Sequence, residues 1–267
     1  MKTYKDVFNG NGTALIPFFV IGDPDFDRSL ETVRTAVEAG ADVLELGIPF
    51  SDPIADGPTI QRADVRALDS GMTCERAFEL IEKIRSFADV PIGLLMYYNL
   101  ITHYGAKAFY KDAAAAGVNS VLVADLCVDD AEELSPFIEA NQLDSVYMVT
   151  PNTTEVRQGK IARLCTGFIY TVSLLGVTGA RGELSDLVAP LVRSLKAKTE
   201  TPVCVGFGVS KPEHAKQLKD AGADGVIVGS ALVDIIEKNL SSPDRGKGEL
   251  AACIQAMKKA IAGYDFR

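Results

Sequence analysis

The chain has 267 residues, with 36 Asp and Glu against 27 Lys and Arg, which gives a formal net charge of −9. This acidic balance argues against general binding to nucleic acids or to anionic membranes. It does not exclude a phosphorylated small molecule, because backbone N–H groups can hold phosphate. The length suits one large α/β domain or two small ones.

The five cysteines and the N-terminus indicate the compartment. The cysteines are odd in number, widely spaced and without a Cys-x-x-Cys motif, which is typical of reduced thiols rather than a disulfide or zinc framework. The first six residues lack an apolar signal segment, and no apolar run reaches transmembrane length. We expect a cytoplasmic protein, or one of the plastid stroma if a transit peptide has been removed.

Short apolar segments alternate with helical patterns along the whole chain. Eight of these segments are predicted strands: 13–21, 42–46, 91–96, 120–124, 145–149, 167–172, 202–205 and 225–228. In the first helical pattern, Leu30, Val33 and Val37 mark one apolar face. Three helix-to-strand junctions repeat one motif, with Gly40, Gly117 or Gly222 at the position where a left-handed glycine ends a helix.

Eight strands, each followed by a helical pattern, predict an α/β fold, a single closed (β/α)₈ barrel of the TIM-barrel type with extra short helices. We expect one domain over residues 1–267. The alternative is a doubly wound open sheet, but Gly22-Asp23-Pro24-Asp25 after the first strand is no dinucleotide fingerprint. In a barrel of this type the active site lies at the C-terminal ends of the strands.

Glu45 lies in the second predicted strand, where an unpaired charge would cost several kcal/mol. Strand alternation places it on the face of Val43, towards the barrel interior. Apolar surroundings raise the pKa of a carboxyl group, as a general acid or base near neutral pH requires. The alternative is a structural glutamate bound to an arginine or a backbone amide.

Two further carboxylates, Asp52 and Asp56, follow in the next loop. Spacing alone favours a helix N-cap or turn role for either. Asp56 could also pair with Glu45 across a ligand, because a strand end and its following loop face one cleft. In the sixth predicted strand, Tyr170 shares a face with Phe168, and a ligand role and a packing role are equally open for it.

Glycines cluster after the last three strands. The clusters are Gly176-Val177-Thr178-Gly179, Gly206-Phe207-Gly208 and Gly229-Ser230. Backbone amides at these loops form the usual phosphate site of such barrels. Arg181 is the one arginine in these loops, so binding would rely mainly on amides.

Other kinds of chemistry find little support in the sequence. No lysine falls within a predicted strand, which argues against a Schiff base. His103 and His214 lie far apart in helical patterns, so we predict no metal site and a structural or solvated role for both. Proton transfer by carboxylates is therefore the chemistry that the sequence supports.

Several motifs resemble the tryptophan synthase α-subunit family, and the likeness covers essentially the full length. The longest is Leu46-Gly47-Ile48-Pro49-Phe50-Ser51-Asp52-Pro53 with Ala55-Asp56-Gly57-Pro58. The others are Gly93-Leu94-Leu95-Met96-Tyr97 and the three glycine clusters. The resemblance implies a cofactor-free, reversible retro-aldol cleavage of indole-3-glycerol phosphate to indole and glyceraldehyde 3-phosphate.

The resemblance also assigns residues to roles. Glu45, Asp56 and Tyr170 match the family's catalytic residues. An apolar indole pocket is implied for Phe18, Leu95, Leu122, Ala124, Phe207 and Ile227. Phosphate binding is implied for Gly179, Gly208, Gly229 and Ser230. Thr178 and Arg181 lie in the loop that resembles the lid over the substrate.

The family's α subunit works with a pyridoxal-phosphate β subunit in an α2β2 complex, so pyridoxal phosphate is expected only on that partner. Asp52 and Pro53 resemble the contact loop, and Cys127 stands where the family usually has proline. Three other functions stay open: a free-standing indole-releasing lyase, a mainly regulatory barrel that activates the β subunit, and an isomerase barrel that shares only the phosphate glycines.

Overall fold

The computed structural model describes residues 1–10, 12–172, 187–206 and 208–262. Its strands are β1 Ala14–Val20, β2 Leu44–Gly47, β3 Ile92–Met96, β4 Ser120–Val123, β5 Asp144–Ser145, β6 Tyr147–Val149, β7 Ile169–Val172, β8 Val203–Gly206 and β9 Gly225–Val228. All pairings are parallel, in the order β5-β4-β3-β2-β1-β9-β8-β7-β6. Only Val146 separates β5 from β6, so the order returns to its start. The predicted (β/α)₈ barrel is confirmed, with its fifth strand in two pieces.

Helices surround this barrel. In the described residues they are α1 Tyr4–Phe8, α2 Phe26–Glu38, α3 Pro58–Asp69, α4 Cys74–Arg85, α5 Tyr98–Tyr104, α6 Ala106–Ala116, α7 Ser135–Ala140, α8 Glu155–Leu164, α9 Val188–Lys196, α10 Pro212–Asp220, α11 Ser230–Lys238 and α12 Pro243–Ala262, with a 3₁₀ helix at Val128–Glu133. Some connections hold two helices, such as α3 with α4 and α5 with α6. These are the predicted extra helices.

Helix α1 closes the amino-terminal end of the barrel. Its Tyr4 is buried and meets the ring of Phe168 edge-on, with the ring centroids 5.4 Å apart. The hydroxyl groups of Tyr4 and Ser120 share a hydrogen bond of 2.7 Å. Because side chains fill this end, the functional site has to be approached from the carboxyl ends of the strands.

The three glycine junctions adopt the predicted left-handed conformation. Gly40, Gly117 and Gly222 have φ angles of 106°, 96° and 94°. The residue after each glycine donates its N–H back into the last turn of the helix, as in a Schellman motif: Ala41 to Ala36 O, Val118 to Ala113 O and Ala223 to Leu218 O. The chain therefore turns sharply from helix into strand at these points.

A neighbouring strand is fixed by the polar residue two positions after each of these glycines, namely Asp42, Asn119 or Asp224. Its side chain accepts a hydrogen bond from a backbone N–H at the start of the preceding strand. The three bonds are Leu15 to Asp42 (2.7 Å), Ile92 to Asn119 (2.9 Å) and Val203 to Asp224 (2.7 Å). Each bond sets the register of two consecutive strands at the amino-terminal edge of the barrel.

We expect Asn119→Ala to lower the free energy of unfolding by about 2 kcal/mol, because the Ile92 N–H loses its acceptor inside the protein. The same Oδ1 atom also accepts a hydrogen bond of 2.8 Å from Arg85. Urea unfolding would measure the change. Asn152→Ala, at an exposed position, is the control. A loss no larger than that of the control would show that the bond does not stabilise the barrel.

Candidate active site

A cavity of about 490 Å³, its open mouth included, lies at the carboxyl ends of the strands. It is lined by Phe18, Asp56, Gly57, Ile60, Leu95, Tyr170, Gly208, Val209, Ile227, Gly229 and Ser230. A larger cavity of about 680 Å³ lies between α2, α11 and α12 and contains none of the predicted site residues. The first cavity is therefore the candidate site, because apolar walls, a carboxylate and a helix N-terminus meet there.

Glu45 on β2 is buried, with 3% of its surface exposed. Within the described residues, no group forms a hydrogen bond with its Oε2 atom. Burial, and then the charge of Asp56, raises the pKa of Glu45 from 4.5 to about 8. The side chain is therefore protonated at neutral pH and able to give up a proton, as a general acid must be.

Asp56 is held by Tyr97. The Tyr97 hydroxyl donates a 2.6 Å hydrogen bond to Asp56 Oδ2 and accepts one of 3.0 Å from the N–H of Ala55. Burial raises the pKa of Asp56, and the bond from Tyr97 opposes this effect. The N-cap of α3 is Gly57, so the N-cap role that spacing favoured for Asp56 is wrong. Its carboxylate is instead a buried acceptor at the cavity wall.

A second buried carboxyl group near Asp56 escaped the sequence analysis. Asp64 lies on the buried face of α3, one turn after Ile60. Burial, and then the charge of Asp56, raises the pKa of Asp64 to about 8, although a hydrogen bond from the Phe50 backbone lowers it. An acidic residue at helical spacing from Ile60 was the sequence signal that could have revealed it.

Tyr170 on β7 is buried beside Phe168, with 6.5 Å between the ring centroids. The two side chains share a face, as predicted. A Cβ atom at Gly206 would lie 2.4 Å from the Tyr170 hydroxyl, so this glycine leaves room for the ring. Burial, followed by the charges of Glu45 and Asp56, raises the pKa of Tyr170. The hydroxyl therefore stays protonated, and both carboxyl groups act on it electrostatically.

Three of the four predicted phosphate residues, Gly208, Gly229 and Ser230, lie at two loops of the same cavity. Gly208 has a φ of 77°, a left-handed conformation that favours glycine. Helix α11 begins at Ser230 after Gly229, so its first-turn N–H groups point out of the helix end and towards any anion there. Thr178, Gly179, Arg181 and Phe207 fall outside the described residues.

The remaining predicted residues lie in three places: the cavity wall, the packed interior outside it, and the surface. Phe18, Leu95 and Ile227 line the cavity, whereas Leu122 is buried and Ala124 partly buried outside its lining. Asp52 is exposed and Pro53 partly exposed, next to Ile54 with 75% of its surface exposed. The sequence gives no sign of a role for Tyr97, Ile60 or Val209, because their apolar character alone does not distinguish them from other core residues.

Among the residues that the structure describes, no group of three or more His, Cys, Asp or Glu side chains could hold a metal ion. No described helix is both long enough and apolar enough to span a bilayer. His214, treated above as structural or solvated, is buried, and its Nδ1 accepts a hydrogen bond from the N–H of Ser210.

The known proteins that this chain resembles belong to one family. The sequence model of the tryptophan synthase alpha chain matches residues 4–262. The alpha chain of Methanothermobacter thermautotrophicus is 51% identical over 239 residues, which is 89% of this chain and 88% of the relative. That of Methanoregula boonei is 44% identical over 261 residues, 97% of this chain and 98% of the relative.

Solved structures with the same fold are also tryptophan synthases. A chain of the Pyrococcus furiosus tryptophan synthase a2b2 complex superposes with a TM-score of 0.87 at 40% identity, covering 93% of this chain and 98% of that one. A chain of Mycobacterium tuberculosis tryptophan synthase has a TM-score of 0.87 at 35% identity, covering 97% and 96%. Sequence, fold and site geometry together show that the chain belongs to the tryptophan synthase alpha chain family.

Proposed function

We propose that this chain cleaves indole-3-glycerol phosphate, the lyase reaction of its family, with Glu45 as the proton donor and Asp56 as the partner of the indole nitrogen. One observation carries this proposal. Glu45 is buried and interacts electrostatically with Asp56, and Asp56 lines an apolar cavity that also contains the N-terminus of a helix. Such a site suits a ligand with an apolar ring at one end and a phosphate at the other.

The side chains of this site can supply every proton transfer that the proposed cleavage requires. Glu45 gives its proton to ring carbon C3, which makes the ring an electron sink, and Asp56 accepts a hydrogen bond from the ring N–H as positive charge develops. The Glu45 carboxylate then takes the proton of the adjacent glycerol hydroxyl. The C–C bond electrons return to the ring, and indole and the aldehyde of glyceraldehyde 3-phosphate form.

The other cavity residues hold the substrate. Phe18, Leu95 and Ile227 pack on the indole ring, and Tyr170 lies against the reacting end, close to both carboxyl groups. Gly208, Gly229 and Ser230 bind the phosphate through backbone N–H groups. On the family resemblance, we assign Gly179 to phosphate binding and assign the remaining substrate contacts to Thr178, Leu122, Ala124 and Phe207.

The proposed partner is a β subunit. The Pyrococcus furiosus relative is part of an a2b2 complex. Asp52 and Ile54 are exposed and Pro53 is partly exposed, and all three lie in the loop between β2 and Asp56. A partner bound there would therefore touch the site's own loop. Pyridoxal phosphate would reside on that partner. We further propose that residues 1–267 act as one domain in the cytoplasm.

Indole release from indole-3-glycerol phosphate, with and without added β subunit, tests the proposal. Release that increases with the β subunit is expected. Full activity alone would indicate a free-standing lyase, and activation of the β subunit without indole release would indicate a regulatory barrel. Turnover of another phosphorylated substrate without indole release would identify an isomerase barrel.

Asp56→Asn is expected to lower kcat/KM by about 10- to 100-fold, because a neutral amide replaces a charged acceptor whose hydrogen bond is worth about 1.5–3 kcal/mol. The bond from Tyr97 can still reach the amide oxygen, so the fold should hold. Steady-state indole release measures the effect. Asp69→Asn, the same change at an exposed position at the end of α3, is the control for a general effect of lost charge. Equal rates for the two variants would exclude this role for Asp56.

A further inference from the structure

Four charged side chains connect α3, α11 and the turn after β1, and we name them the four-charge cluster: Asp23, Arg62, Arg66 and Glu237. Arg66 donates two hydrogen bonds to Asp23, from Nε to Oδ1 at 2.7 Å and from Nη2 to Oδ2 at 2.9 Å. Arg62 binds Glu237 in the same two-bond manner, at 2.6 and 2.7 Å. Arg66 Nη1 joins the two pairs through Glu237 Oε1 at 3.1 Å.

The cluster differs from an ordinary surface ion pair. The side chain of Asp23 is 1% exposed, that of Arg66 18% and that of Glu237 23%, whereas that of Arg62 is 53% exposed. The bonds of Arg66 to Asp23 and Glu237 join planar groups with little solvent around them, and such bonds hold a fixed geometry better than flexible exposed pairs do. The pair between Lys238 and Asp234 within α11 is the contrasting case, because both side chains are largely exposed.

The elements that the cluster joins also build the two ends of the cavity. Arg62 and Arg66 lie one turn apart on α3, which begins at Pro58, two residues after Asp56. Glu237 lies near the end of α11, which begins at Ser230. Asp23 follows β1, the strand that carries Phe18. The cluster therefore fastens the helix next to the proposed indole contact to the helix of the proposed phosphate contact.

We infer that the four-charge cluster sets the distance between the phosphate end and the indole end of the site, and that Glu237 and Arg66 are positioning residues for the lyase reaction. This inference rests on the proposed function. A substrate that spans both ends binds well only when the spacing between α3 and α11 matches its length. A ligand that occupies one end alone is indifferent to that spacing.

Glu237→Ala tests this inference, because it removes the α11 side of the cluster while Asp23 keeps Arg66 and no buried charge loses its partner. Asp234→Ala is the matched control, since it removes an acidic side chain of α11 whose ion pair stays within the helix. Glu237→Gln, which keeps one acceptor oxygen, is a second variant in case the alanine variant folds poorly. Thermal unfolding would show whether each variant is folded.

Three constants are measured for each variant: KM for indole-3-glycerol phosphate, and the inhibition constants of glycerol 3-phosphate and of indole. Glu237→Ala is expected to raise KM about fivefold and to leave both inhibition constants within about twofold. Glu237→Gln should give a smaller rise in the same direction, and Asp234→Ala none.

Two results would overturn the inference: a KM for Glu237→Ala equal to that of Asp234→Ala, or a parallel loss of affinity for substrate, indole and glycerol 3-phosphate. The parallel loss would mean that the cluster only stabilises the fold. Failure of the proposed function looks different, because the unaltered protein would then release no indole at all.

Discussion

Glu45→Gln should lower kcat for indole release by about 10²–10⁴-fold, the contribution typical of a positioned acid or base. The amide has the size of the protonated glutamate and is likewise neutral, so the cavity and its apolar walls stay as they are. It cannot release or regain a proton, so neither protonation of C3 nor deprotonation of the glycerol hydroxyl can proceed through it. KM is expected to change little.

Pre-steady-state measurement of indole formation, with substrate affinity determined separately, checks this. Glu139→Gln makes the same chemical change at an exposed position and serves as the control. If Glu45→Gln keeps near-normal turnover, the proton donor is a different residue and the assignment of Glu45 is wrong.

The second large effect concerns stability. The free energy of unfolding should decrease by several kcal/mol between about pH 5 and pH 9. Burial raises the pKa of Glu45 from 4.5, and that of Asp64 from 3.8, to about 8 in the folded protein. Between these ordinary values and pH 8 the folded chain binds more protons than the unfolded chain does, so stability falls as the pH rises. Each group contributes a slope of up to about 1.4 kcal/mol per pH unit.

Urea unfolding across this pH range would test the prediction. The double variant Glu45→Gln with Asp64→Asn should show a flatter pH profile and greater stability than the unaltered protein at pH 9. Asp52→Asn, which changes an exposed carboxylate, should leave the slope unchanged. A stability that is constant from pH 5 to pH 9 would show that these two carboxyl groups ionise normally.

Glu45 illustrates how site formation and stability oppose each other. Glutamine or an apolar residue at position 45 would fold at least as well, and the protein would then lack its proton donor. The same burial that costs stability at alkaline pH keeps Glu45 protonated at neutral pH. Catalytic use and pH sensitivity therefore have one physical origin.

Much of the fold followed from local sequence. Strand positions were predicted to within about two residues, because buried parallel strands give short apolar runs. Gly40, Gly117 and Gly222 marked helix ends, because their left-handed conformation is a local property of glycine. Glu45 stood out because an acidic residue within an apolar run is rare.

Other features depend on contacts between distant parts of the chain. Nothing near Tyr97 shows that its hydroxyl meets Asp56, which is 41 residues away. Glu237 meets Arg66 across 171 residues, and such a pair cannot be read from spacing. The wrong N-cap at Asp56 has a local cause, because Pro58 takes the first helical position and moves the cap to Gly57.

The side-chain bonds at the strand starts have a consequence for how the chain folds during synthesis. Each bond joins residues only 21 or 27 positions apart, within one strand-helix-strand unit. Loop closure over so short a span costs little entropy, and contacts of this kind form early. The β1–β2 and β3–β4 pairs can therefore align as they leave the ribosome, before β9, the strand that closes the barrel against β1, has been synthesised.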